Sequence, residues 1–198
     1  MKTSQKLYVP LKRAIGLVGA LCGIVVCFVF VWWWVIPVNA IVTKGHPFFA
    51  GHRAGKDGKR FRCLKFRSMK LDADPHMTSR EESVSKNLTK FGKFLRRTSI
   101  DETPQVLNIL TGQMAFIGPR PLIDVGEDAV TIQLRKENGA IHLRPGLSGY
   151  AQIHRRGDLD PRDKAEYDGV YYEHFSLWWD TKIFVYTILR LFGAVKGR

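Results

Sequence analysis

Asp101 and Glu102 are neighbours in Thr98-Ser99-Ile100-Asp101-Glu102-Thr103-Pro104-Gln105, and Phe116-Ile117-Gly118-Pro119-Arg120-Pro121 follows shortly after. Adjacent carboxylates point to different sides, so one can attack or bind a metal while the other orients it or accepts a proton. The same residues fit a capping box, S-x-x-E over Ser99 to Glu102, in which the acids only cap and charge a helix start. A helix N-terminus would hold a carboxylate ionised and attract phosphate. Pro104 is tolerated in a first turn, and Gln105, Val106, Leu107, Ile109 and Leu110 carry the helix to a stop at Gly112. Prolines on both sides of Arg120 stiffen its loop, and a preorganised guanidinium suits two-pronged phosphate recognition. Arg144-Pro145-Gly146 sets a second arginine before a tight turn. Further cations precede the acids: Lys65 and Arg67 lie in a strand-like basic stretch from Lys59 to Met69. Arg96 lies near the end of a basic amphipathic helix over Lys86 to Arg97, whose apolar side is Leu88, Phe91, Phe94 and Leu95 and whose weak point is Gly92. Paired carboxylates able to hold a metal, set among arginines and lysines, are parts for chemistry on a phosphate ester.

The elements that must position these groups begin with a membrane segment. Ala14 to Val42 is a run of 29 residues without a charge, more than the ~20 apolar residues that a helix needs to cross a bilayer. It is too long for the apolar core of a signal peptide, about 7 to 15 residues, and no small-residue cleavage site clearly follows. Pro37 removes a backbone donor and Asn39 adds a polar group, which predicts a membrane break at Pro37. Lys2, Lys6, Lys12 and Arg13 precede the run, and Lys44, Arg53, Lys56, Lys59 and Arg60 follow it. Positive charge marks the cytoplasmic side, so the pattern favours a re-entrant helix over a bitopic span with a proline kink. The predicted division is an anchor over residues 1–43 and one catalytic domain over 44–198.

The formal net charge of +13 is uneven: residues 1–97 hold 19 Lys and Arg against five acids, whereas residues 98–198 hold 12 against 13. A basic half joined to an apolar anchor fits anionic headgroups, a phosphorylated lipid or an anionic soluble substrate. No nucleic-acid recognition motif occurs, so nucleic acid is not an expected partner. Cys22, Cys27 and Cys63 lack metal-ligand spacing, and the six histidines fall in no ligand pattern. Trp178 and Trp179 suit either a membrane interface or core packing.

Taken in order, Lys65-Phe66-Arg67-Ser68-Met69, Phe91-Gly92-Lys93, Arg96, Asp101-Glu102 with Pro104-Gln105, Leu107-Asn108, Gly118-Pro119-Arg120-Pro121, Arg144-Pro145-Gly146 and Gly149 with Ala151-Gln152 resemble the monotopic phosphoglycosyl transferases. These are bacterial sugar transferases that start glycan assembly on undecaprenyl phosphate. The resemblance covers about Lys12 to Leu191 and implies a minimal catalytic core, mostly α with short β-strands (α+β), carrying an N-terminal re-entrant helix and interfacial amphipathic helices. It implies transfer of a phosphosugar from a UDP-sugar to a polyprenyl phosphate, with Mg2+ and release of UMP, on the cytoplasmic face of a bacterial inner membrane. By the same resemblance Asp101 is the nucleophile on the β-phosphate. Glu102 orients it, helps hold Mg2+ or accepts the acceptor's proton, and Asp101 and Glu102 are the candidate metal ligands. Arg96, Arg120 and Arg144 neutralise phosphate charge, joined by Lys65 and Arg67; Gln152 and Arg156 mark a donor pocket, and a homodimer is compatible. Ile36 precedes Pro37 where many members have serine, and Ile153-His154-Arg155-Arg156 stands where members often show an Asn-Gly-Arg turn. The alternative from another class is a membrane-tethered protein that grips anionic lipid or nucleic acid without turnover.

Overall fold

The computed structural model describes residues 2–71, 87–154 and 159–191. The chain is mostly helical with short strands. Its first element is one helical run, Thr3–Val42, of 40 residues, about 60 Å long at 1.5 Å per residue, and apolar enough to associate with a membrane. It consists of α1 (Thr3–Cys27), a π-helical segment (Phe28–Trp32) and α2 (Trp33–Val42).

Pro37 does not end this helix, contrary to the expected break. Proline removes its own hydrogen bond and crowds the carbonyl four residues before it, but tertiary contacts hold the helix on both sides of it. Val35 is buried, and the buried Asn39 donates through Nδ2 to the carbonyls of Pro47 at 2.7 Å and Arg67 at 3.1 Å. The departure from α geometry falls earlier, in Phe28–Trp32.

One side of the run lies on the rest of the protein along its length. Gln5 donates to the carbonyls of Tyr172 and Glu173 at 2.7 and 3.0 Å. Tyr8 bonds Asp180, and Lys12 reaches Asp180 at 2.6 Å and the Tyr171 hydroxyl at 2.7 Å. Arg13 donates to the carbonyls of Ile109 and Leu110 at 2.6 and 2.7 Å. Gly16, Gly19 and Gly23 let the helix approach Ile109, Phe116 and Val106. The opposite side exposes Leu7, Leu11, Ile15, Val18, Leu21, Val25, Phe30 and Trp33.

An antiparallel hairpin follows, β1 (Phe48–Ala54) with β2 (Arg60–Phe66), in which Lys65 faces Phe49 and Phe61 faces Arg53. Cys63, Phe66, Leu95, Val106, Ile109 and Met114 form the main core beneath it, together with Trp32 and Val35 from the long helix. Next come α3 (Lys90–Arg97), a 3-10 turn (Ile100–Glu102), α4 (Gln105–Leu110) and β3 (Ala115–Ile117). After α5 (Glu127–Glu137), β4 (Gly146–Ser148) pairs in parallel with β3. α6 (Tyr150–His154), α7 (Pro161–Glu173) and α8 (Leu177–Leu191) complete the fold.

α3 is the helix expected over Lys86 to Arg97, but it begins at Lys90, capped by the Thr89 hydroxyl, which accepts from the Gly92 amide at 2.8 Å. Lys86 lies outside the described residues. Leu95 is buried and Phe91 packs into the core with Trp34, so the apolar side of α3 faces mostly protein, with Phe94 partly exposed. The tryptophan pair divides: Trp178 is exposed, whereas Trp179 stacks on His174 and meets Tyr150.

Candidate active site

The acid pair is held by a short turn between two helices, and the capping box that its sequence pattern allows does not form. Ser99 adopts a left-handed conformation, φ +58°, and its side chain caps nothing. The backbone reverses at Ser99, and Asp101 and Glu102 then sit in the 3-10 turn, with α4 beginning only at Gln105. A helix N-terminus is therefore not what keeps these carboxylates charged.

Their neighbours do so, and unequally. Glu102 Oε1 accepts from Lys65 Nζ at 2.6 Å and Arg120 Nη2 at 3.1 Å. Burial pushes the Glu102 carboxyl up, but Arg120 and Lys65 outweigh it and hold it down to about 2. Asp101 is 6% exposed and its carboxylate forms no hydrogen bond among the described residues. Burial raises its pKa; Lys65 pulls it down, the Glu102 charge pushes it up, and Arg96 and Arg120 pull it down. Two adjacent carboxyls whose environments drive their proton affinities apart are equipped for different roles.

The cations around the pair have specific supports. Asn108, in the middle of α4, accepts from the Leu64 amide at 2.9 Å and donates to the Arg62 carbonyl at 2.8 Å. This clamps α4 to the edge of β2 and sets Lys65 against Glu102. Arg96 Nε donates to Ser68 Oγ at 2.9 Å. α3 comes so close to this segment that a Cβ on Gly92 would collide with the Ser68 backbone; the glycine that weakens the helix permits the contact that holds Arg96. Arg120 is placed by β3 and its proline turn, and its carbonyl accepts from Arg135 Nη1 at 3.0 Å. Arg135 is itself fixed by Asp168, at 2.8 Å through Nε and 2.5 Å through Nη2, with both side chains buried.

Thus Lys65, Arg96, Asp101, Glu102 and Arg120 come together. Arg67 does not join them: it donates to the carbonyls of His46 and Phe48 and lies over the Phe49 ring. Arg144 donates to the Gly112 carbonyl at 3.0 Å and lines a cavity of about 60 Å³ with Lys12, Arg13, Met114 and Phe175 at the long helix. It is not among the cations acting on the acid pair. The Gln152 side chain turns to the Leu147 carbonyl, and its own carbonyl accepts from Arg190; Arg156 lies outside the described residues. Among residues that sequence reasoning missed, Ser68, Arg135 and Asp168 support site arginines. Asn108 stands in the sequence only as part of the Leu107-Asn108 pair in the resemblance, with no role attached to its amide.

No cluster of three or more metal-ligating side chains occurs among the described residues. The donor set on hand is the Asp101 carboxylate and Glu102 Oε2. Mg2+ commonly takes one or two carboxylates together with phosphate oxygens and water, so this set fits that ion when an anionic substrate supplies the rest.

The α+β fold joins a helix long and apolar enough to cross a membrane to a site that sets a carboxylate pair against Lys65, Arg96 and Arg120. Residues 7–194 match the bacterial sugar transferase family, and the chain belongs to it. It is 32% identical, over 90% of its own length, to a UDP-galactose-lipid carrier transferase of Erwinia amylovora. It is 33% identical, over 95% of its length, to the galactosyl transferase CpsE of Streptococcus agalactiae. A UDP-glucose:undecaprenyl-phosphate glucose-1-phosphate transferase of Escherichia coli K12 shares 38% identity over 76% of the chain. The chain spans 39%, 43% and 33% of those three proteins.

Proposed function

We propose that the chain transfers a phosphosugar from a UDP-sugar to a polyprenyl phosphate, undecaprenyl phosphate by analogy with its relatives, releasing UMP in the first membrane step of a bacterial glycan assembly pathway. The observation that carries this reading is the unequal acid pair: a buried Asp101 whose carboxylate has no hydrogen bond among the described residues, beside a Glu102 tied to Lys65 and Arg120. An Asp101 oxygen attacks the β-phosphorus of the donor, and the bond to the oxygen bridging the two phosphates breaks, that oxygen leaving with UMP. An oxygen of the polyprenyl phosphate then attacks the same phosphorus and displaces the carboxylate. Two easier displacements replace one hard one. Attack requires ionised Asp101, which Lys65, Arg96 and Arg120 favour against burial. The same cations stabilise charge developing on the phosphoryl oxygens. Glu102 and Asp101 would hold Mg2+, which supplies further neutralisation of the diphosphate.

The anchor, residues 1–43, stays in the cytoplasmic leaflet and is monotopic, with residues 44–198 as the catalytic domain. Contacts at both ends of the long helix support this: Gln5 to Arg13 meet the late helices and α4, and Asn39 meets the start of the hairpin. In a spanning helix, ~30 Å of hydrocarbon would separate two such ends. Basic residues on both flanks agree with it.

Purified protein offered a panel of UDP-sugars with Mg2+ should release UMP from one or a few. Donor alone should give UMP in proportion to active sites and a mass increase of one phosphosugar, and Asp101→Asn should lose both. UMP release that strictly requires the polyprenyl phosphate would replace the covalent route by direct transfer. Tight retention of anionic lipid without turnover would favour a binding protein.

A further inference from the structure

The long helix shows the same face to the body on both sides of its π-helical segment. Gln5, Tyr8, Gly16 and Ala20 are buried before it, and Trp32, Val35 and Asn39 from its last residue onward. Ala20 and Trp32 are twelve residues apart; in an unbroken α-helix they would face about 120° apart. A π segment inserts one residue into the turn, an offset of about 100°. The irregularity at Phe28–Trp32 thereby returns Trp32 to the protein side.

What Trp32 meets there is the turn that carries the acid pair. Its indole Nε1 donates to Thr103 Oγ1 at 3.0 Å, and that hydroxyl donates in turn to the Ile100 carbonyl at 2.9 Å. Ile100 opens the 3-10 turn and Thr103 closes it, so Asp101 and Glu102 lie between the two bonded residues. Trp34 packs on Phe91 and Phe94, each with ring centroids 6.3 Å away, on the helix that presents Arg96. One stretch of the apolar helix thus touches both the acid turn and the element holding its cation.

We infer that the π segment is a register device and that Trp32 is a positioning residue, through which the membrane-associated helix sets the place of Asp101 and Glu102. Its effect on turnover presupposes the transfer proposed above. Its effect on the turn does not.

Trp32→Phe keeps a ring and removes the N–H; Thr103→Val keeps the shape and removes the hydroxyl; Thr103→Ser restores the hydroxyl. Two readouts apply: kcat and donor KM for UMP release, and hydrogen exchange at the amides of Glu102 and Thr103, whose bonds to Ser99 and Ile100 close the turn. Trp32→Phe should lower kcat about fivefold, as expected for one lost hydrogen bond, and Thr103→Val, which also removes the bond to the Ile100 carbonyl, by at least as much, with donor KM within about twofold for both. The double variant should lose no more than Thr103→Val alone, because the valine already removes the bond that Trp32→Phe breaks. Exchange at the two amides should accelerate in both. Thr103→Ser should behave as the parent, as should Trp33→Phe, whose side chain is exposed. Unchanged exchange in Trp32→Phe and Thr103→Val would overturn the inference, and so would accelerated exchange with normal kcat. A parent protein that releases no UMP from any UDP-sugar would refute the transfer alone; the exchange comparison would still decide whether Trp32 holds the turn.

Discussion

Replacing Lys65 with methionine tests how the acid pair is kept charged. Lys65 Nζ lies 2.6 Å from Glu102 Oε1, and the two side chains are only 23% and 21% exposed, so solvent screens the pair incompletely. Glu102 is held at about 2 rather than 4.5, a displacement worth about 3 kcal/mol in favour of the ionised form. Arg120 and Lys65 produce it together against burial. Because the two cations together outweigh burial, removing one should take away at least half of this net displacement, about 2 kcal/mol or more at neutral pH, or a melting temperature lower by about 4 °C or more for a chain of this size. A carboxyl with a lowered pKa contributes stability that is complete above 4.5 and is lost as pH falls through about 2. The gap between parent and variant in thermal unfolding, measured in a nonionic detergent, should therefore be widest at pH 7 and close through that acid window. Lys65 also lowers the pKa of Asp101, so the acid limb of the UMP-release profile should move to higher pH in the variant. Equal melting temperatures at pH 7, or a gap that persists undiminished into acid, would refute the reasoning.

Asp101→Asn should abolish turnover and yet raise the melting temperature at pH 7. Burial lifts the Asp101 pKa above the unfolded value, so the folded state binds the proton more tightly and stability falls as pH rises through that range; the amide escapes this loss, and a less stable variant would count against it. Arg135→Met leaves the buried Asp168 carboxylate without its cation and should cost about 3–5 kcal/mol in denaturant unfolding, whereas adding Asp168→Leu should recover most of it. Gly92→Ala drives a Cβ into the Ser68 backbone and should destabilise by about 1–3 kcal/mol; turnover measured on the folded fraction should fall as well, because Ser68 also holds Arg96.

How much could be read from the chain divides along physical lines. Asp101-Glu102 and the cations Lys65, Arg96 and Arg120 stand out by residue type, and the structure brings them together. Arg67 and Arg144 look equivalent in one dimension, but an arginine turns towards whichever carbonyl or ring lies within reach. Arg67 finds His46, Phe48 and Phe49, and Arg144 finds Gly112. Helix content and the apolar run follow from composition and periodicity. The uninterrupted path through Pro37 does not, because tertiary bonds from Asn39 decide it. Ser99 and Glu102 satisfy the pattern of a capping box, yet a left-handed serine ahead of Pro104 delays α4 and leaves the acids in a separate turn. Lys12 and Arg13 read as interfacial charge, since nothing local announces Asp180 and Tyr171, or the end of α4, as their partners.

The pairing of Lys12 and Tyr8 with Asp180 carries a consequence for biogenesis. Tyr8 and Asp180 are separated by 172 positions, so at roughly 5–20 residues per second about ten to thirty seconds pass between their synthesis. The apolar helix leaves the ribosome before the side chains that will receive its polar groups have been made. Docking of the helix on the late elements is therefore a late event, and in a nascent chain stalled before Asp180 the Lys12 ammonium has no carboxylate there to meet.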